Sequence, residues 1–157
     1  MDPLFEFALS IKAIQREIER RTNEVLQPLG VTAAQADALA VIAQAGPVSL
    51  GELGDLLIAE GGHPSRLVDR LVEAGLVERR AADSDRRRIE LSLTARGRRL
   101  ERKVAAARRS ILEQVRPLVP ERELERTLKL LRNLLQYTSF AELVARRGEL
   151  LEATEAP

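Results

Sequence analysis

Seven residues, Arg88-Ile89-Glu90-Leu91-Ser92-Leu93-Thr94, alternate polar and apolar side chains without error. That is the period of a half-buried strand, and the rest of the chain reads as helix after helix. A strand cannot satisfy its backbone hydrogen bonds alone. Residues 76–82 can pair with it across Ala82-Asp83-Ser84-Asp85, a stretch rich in turn formers. The sequence therefore predicts a mainly α chain with one two-stranded hairpin, and Arg86, Arg87 and Arg88 near the hairpin tip.

The helices are set by their end signals. Asp2-Pro3 is a cap followed by proline at the first helical position. Leu4, Ala8, Ile11, Ile18, Val25 and Leu29 then form one apolar stripe, stopped by Pro28 and Gly30. A helix of roughly 25 residues cannot bury that whole stripe within a small domain, so part of it is expected to face a partner. Thr32-Ala33-Ala34-Gln35 and Ser49-Leu50-Gly51-Glu52 are capping boxes. The first opens a helix that ends at Gly46-Pro47, the second a short helix through about Ile58. Gly61-Gly62 turns the chain, and His63 precedes Pro64, which suits the first position of a fourth helix ending at Gly75. Leu67, Val68, Leu71 and Val72 form its buried face; Ser65, Arg66, Asp69, Arg70 and Glu73 lie opposite. Thr94 caps a fifth helix with Leu100, Val104, Ala107, Ile111 and Val115 on one face. Pro117 and Pro120 separate it from a sixth carrying Leu124, Leu128, Leu131 and Leu135. Ser139-Phe140-Ala141-Glu142 reads as a further capping box, opening a short seventh helix.

Composition excludes several classes of function. Among 157 residues there is no cysteine and one histidine, His63. Disulfides, thiolate metal sites, cysteine nucleophiles and histidine relays are ruled out. Carboxylates are spread over helix surfaces without a convergent set, so no enzyme and no cofactor is expected. No apolar run approaches the roughly 20 residues of a spanning helix, and Met1-Asp2-Pro3 is no signal peptide. A cytoplasmic protein without membrane association is the expectation. The formal net charge of +1 hides an uneven distribution: residues 79–109 hold twelve basic against four acidic side chains. Arginine dominates, which suits planar contact with phosphate or guanine, although a solvated helix and hairpin would carry the same charges.

Two short helices joined by a turn, then a basic hairpin, is the order of a winged helix-turn-helix. Here the resemblance becomes specific. Glu52-Leu53, Ser65-Arg66-Leu67-Val68-Asp69-Arg70-Leu71, Gly75-Leu76-Val77-Glu78-Arg79, Asp85-Arg86-Arg87 and Leu91-Ser92-Leu93-Thr94-Ala95-Arg96-Gly97 follow one another in order. Together they resemble the MarR (multiple antibiotic resistance regulator) family of bacterial transcription factors. The resemblance implies a winged helix-turn-helix over 31–97 and a helical dimerisation region over 1–30 and 98–152. It implies a homodimer on a pseudo-palindromic DNA operator, and a small anionic or aromatic effector bound between the two regions and weakening DNA binding. Ser65 and Arg66 would sit at base edges. Arg70 would serve a phosphate or an internal salt bridge, and Arg87 would be the wing-tip arginine held by Asp85.

His63, Arg86 and Arg88 complete the candidate DNA contacts. For Arg88 the alternative is a strand residue on the solvent face, for His63 a turn residue at the helix cap. For Arg66 and Arg70 it is pairing with Asp69 and Glu73, and Asp69 itself is read as structural. Leu4, Phe5, Ile11, Leu128, Leu131 and Leu135 are the candidate dimer contacts. Phe5, Phe7, Tyr137 and Phe140 are assigned to dimer packing rather than to an effector pocket. The family usually places Ser or Thr as the cap before the recognition helix, where this chain reads Glu60-Gly61-Gly62-His63-Pro64. The competing reading is a winged helix used for protein contact, without base-specific DNA readout.

Overall fold

The computed structural model describes residues 2–58, 63–82 and 87–155. Helix α1 (Pro3–Leu26) starts at Asp2, whose carboxylate accepts from the Leu4 amide at 2.8 Å. A 3-10 turn (Gln27–Leu29) leads to α2 (Ala33–Ala45), and α3 spans Leu50–Leu56. Both predicted capping boxes at α2 and α3 are formed, by Thr32 with Gln35 and by Ser49 with Glu52. Helix α3 ends two residues before the expected Ile58, because Leu57 turns into an extended conformation and is itself buried. Helix α4 (Pro64–Glu73) is followed by Gly75, whose φ of 68° is a left-handed stop that favours glycine.

Strands β1 (Val77–Ala81) and β2 (Ile89–Leu93) pair antiparallel, with Val77 opposite Leu93 and Ala81 opposite Ile89. Val77, Leu91 and Leu93 are buried at the base of the hairpin, whereas Ala81 and Ile89 are exposed. The hairpin therefore projects out of the body as it approaches its turn. Val48 adds a bridge the sequence did not signal: the Leu91 amide donates to its carbonyl at 2.7 Å, and its own amide donates to Leu91 at 3.1 Å. A single paired residue between Pro47 and Ser49 has no periodicity to read.

Helix α5 (Ala95–Val115) is seated on the base of the hairpin by Thr94. The Thr94 amide donates to the Leu76 carbonyl at 3.0 Å, its hydroxyl donates to Gly75 at 2.7 Å, and the hydroxyl oxygen accepts from the Gly97 amide at 3.0 Å. A second 3-10 turn (Arg116–Leu118) precedes α6 (Glu121–Leu135) and α7 (Ala141–Glu155). The seventh helix is 15 residues, not short, because 141–155 contains no proline and is rich in Ala, Leu, Glu and Arg. At its start the Thr138 hydroxyl, rather than Ser139, accepts from the Phe140 amide at 3.2 Å.

The main core joins α2, α3, α4 and the hairpin through fully buried Leu39, Val41, Leu53, Val68 and Leu71, with Leu91 beside them. Each such side chain contributes about 1.5–3 kcal/mol by leaving water. A second cluster, Leu26, Val31, Ala36 and Val104, locks α1 and α5 to α2. Helix α7 folds back onto α2 and α3. By contrast, Leu4, Phe5, Ile11 and Leu128 are 73%, 62%, 40% and 39% exposed, and Leu131 and Leu135 are half-buried. Among the described residues no single helix is long and apolar enough to cross a membrane.

Candidate nucleic-acid interface

Helix α4 has two chemically distinct faces. Val68 and Leu71 are fully buried and Leu67 and Val72 pack partly beside them, which forces Ser65, Arg66, Asp69, Arg70 and Glu73 outward. Neither Arg66 nor Arg70 has an ion-pair partner among the described residues, so the local pairings Arg66–Asp69 and Arg70–Glu73 do not form. Asp69 instead accepts from Arg79 of β1 at 2.6 Å, which clips the hairpin to α4 and gives Asp69 the structural role expected of it. His63 is the backbone cap of α4: its carbonyl accepts from the Arg66 amide at 3.0 Å, while its imidazole makes no capping bond and stays exposed.

Arg88, a candidate DNA contact, is held by an ion pair within the protein. Its Nη2 donates to both carboxylate oxygens of Glu52 at 2.8 Å, and its Nε lies 3.7 Å from Glu90. The reason is position: β2 begins beside the first turn of α3, where Glu52 already accepts from the Ser49 amide at 2.8 Å and hydroxyl at 2.7 Å. These two bonds, with Arg88 behind them, hold the Glu52 carboxyl at about 2, against an ordinary value of 4.5. Arg87 is exposed at the edge of the hairpin turn. Asp85 and Arg86 lie outside the described residues. The residues that sequence reasoning missed are thus Glu52 and Arg79, which hold the hairpin in place. The capping box pointed to Glu52, but nothing local points to a partner 36 residues away.

Beside α4 lies an open cleft of about 960 Å³. Arg66 and Arg70 line it from α4, Ile18 from α1, Asp37 from α2 and Arg108 from α5. Arg108 is partly withdrawn from water, and burial pushes its guanidinium below its ordinary value although Asp37 works the other way. Phe140 also lines the cleft, while Phe5 and Tyr137 are exposed at the surface. Three arginines and an aromatic ring around one opening suit a small anion with an apolar body.

Residues 29–88, from the end of the first 3-10 turn through the hairpin turn, match the sequence model of the MarR family. The transcriptional repressor MdtR of Bacillus subtilis is 29% identical over 119 residues, covering 76% of this chain and 77% of that protein. The multiple antibiotic resistance protein MarR of Escherichia coli is 37% identical over 87 residues, covering 55% of this chain and 60% of that protein. Over its winged region the chain is similar to MarR-family regulators. In winged-helix order α3 and α4 stand as the helix-turn-helix and β1–β2 as the wing. The crystal structure of a mutant MarR from Escherichia coli complexed with operator DNA superposes with a TM-score of 0.72 at 27% identity, covering 86% of this chain and 99% of that one.

Proposed function

We propose that this chain is a DNA-binding transcriptional regulator of the MarR family that acts as a repressor, binding a pseudo-palindromic operator as a homodimer and released by a small anionic ligand. The observation that carries the reading is the outward face of α4. It holds Ser65, Arg66 and Arg70 on a helix anchored by Val68 and Leu71, with no protein partner for either guanidinium among the described residues. A helix of ten residues fits a major groove, and an unpaired guanidinium suits guanine edges or phosphate. His63 at the helix start is within the same surface. Arg87, with Arg86 beside it in sequence, serves phosphate or the adjacent minor groove. Arg88 acts through Glu52 as a positioning residue for the wing.

The dimer reading rests on the exposed apolar side chains of α1 and α6. Leu4, Phe5, Ile11 and Leu128, with half-buried Leu131 and Leu135, are more apolar surface than a monomer needs to display. Residues 1–30 and 98–135 are accordingly assigned to dimerisation and 31–97 to DNA. The effector is assigned to the cleft, because Arg66 and Arg70 belong to both surfaces and an anion held there competes directly with DNA. The test is affinity for the DNA flanking the gene, searched for an inverted repeat with half-sites about one helical turn apart, across a salt series. Specific binding lost steeply with salt is expected. Absence of DNA binding even at low salt would overturn the reading.

A further inference from the structure

Three helices meet at one carboxylate. Asp37 of α2 accepts from Nη1 of Arg147 of α7 at 2.8 Å and lies 3.9 Å from Nη1 of Arg108 of α5. The side chains of Arg147 and Asp37 are only 17% and 22% exposed, the most sheltered ion pair among the described residues. One turn further along α7, Leu150 packs partly buried against the main core. So α7 has a charged and an apolar anchor on one face, and both rest on the winged body. Its other end is joined to α6 by residues 136–140. That link spans at most about 18 Å fully extended, and it is largely taken up by tight turns. A docked α7 therefore leaves α6 little freedom to move against α2 and α3. Phe140, Asp37 and Arg108 also line the cleft, so α7 begins along the cleft wall.

We propose that α7 is a strap. Docked through Asp37–Arg147 and Leu150, it fixes α6 against the winged body, and with it the direction in which α4 points relative to the dimerisation surface. The proposal rests on the reading of α4 as the DNA-contacting helix. It goes beyond that reading, because the strap lies outside α4 and the wing. Undocking α7 leaves each winged body folded but lets the pair sample orientations that miss successive grooves. Affinity then falls by the fraction of orientations still competent.

The test uses the full chain with Arg147→Ala and, separately, Leu150→Ala. Arg147→Ala leaves Asp37 with Arg108 nearby, so the carboxylate keeps a cation and the fold survives. Hydrogen exchange read by mass spectrometry should show α7 amides exchanging about tenfold faster in either variant, with α4 and the hairpin unchanged. Affinity for operator DNA should fall about three- to tenfold with the dimer retained in sedimentation. Arg147→Lys, which keeps the charge, should recover part of both losses. Unchanged α7 exchange in both variants would overturn the proposal. So would faster α7 exchange with unaltered DNA affinity. If the unmodified protein binds no DNA at all, it is the regulator reading that fails. The exchange experiment would then still decide whether these anchors hold α7 down.

Discussion

Gly97 is the position where the smallest chemical change meets the least forgiving surroundings. An alanine Cβ there would lie 2.0 Å from the Leu76 carbonyl oxygen and 3.0 Å from its carbon. Ordinary C···O contact is about 3.3 Å, so something must move by more than about 1 Å. The Leu76 carbonyl is pinned by the Thr94 amide at 3.0 Å and the Thr94 hydroxyl at 3.3 Å, and it sits where β1 begins. Relief must come from lifting the first turn of α5, which stretches the Thr94 amide bond and the 2.7 Å bond from Arg98 to the Leu93 carbonyl. Overpacking costs about 1–3 kcal/mol, and two weakened hydrogen bonds add about 1–2 kcal/mol. Alanine returns about 1 kcal/mol of helix propensity. Gly97→Ala should therefore destabilise the protein by about 1–4 kcal/mol. Urea unfolding at one fixed protein concentration measures it, because association shifts apparent stability. Gly148, within α7, has open space where an alanine methyl group would stand, so Gly148→Ala should stabilise by about 0.5–1 kcal/mol. Equal or greater stability for Gly97→Ala would refute the steric argument.

Three further outcomes are expected. Arg66→Ala should cost about 1–3 kcal/mol per half-site and relax preference at one symmetric base position, whereas Arg87→Ala should weaken all sequences evenly and lower the salt slope by about two for the dimer; affinities across base variants and salt separate the two. Glu52 has a depressed carboxyl value when folded, so its contribution is present above pH 4.5 and is lost as pH falls toward 2. Glu52→Gln should flatten the stability profile over that acid window, by a small amount because the site is largely solvated, and an acid unfolding series checks it. Ile11→Glu, on the exposed stripe of α1, should weaken dimerisation about ten- to hundredfold in sedimentation equilibrium.

Much of this fold was legible because its signals are local. Thr32 with Gln35, Ser49 with Glu52 and the alternation through Leu91 and Leu93 each specify a boundary or a face within a few residues. The two-faced character of α4 followed from spacing alone. What was not legible depends on the chain returning to itself. Arg88 meets Glu52 across 36 residues and Arg147 meets Asp37 across 110, and neither end carries a mark of the other. Phe140 lines the cleft beside Asp37 and Arg108, a neighbourhood that its local sequence does not mark. The length of α7 was underestimated because a capping pattern marks where a helix begins and says nothing of where it stops.

The two ion pairs that hold the hairpin, Asp69–Arg79 and Glu52–Arg88, have none of their four members among the side chains proposed to read bases. Under the proposed function, letter recognition and reach are thus encoded at separate positions. On that proposal, after gene duplication one copy can change at Arg66 and acquire a new operator while the other changes at Glu52 or Asp69 and accepts altered flanking DNA. Neither route has to pass through an intermediate that has lost both properties, so descendants of one ancestor can diverge by single substitutions.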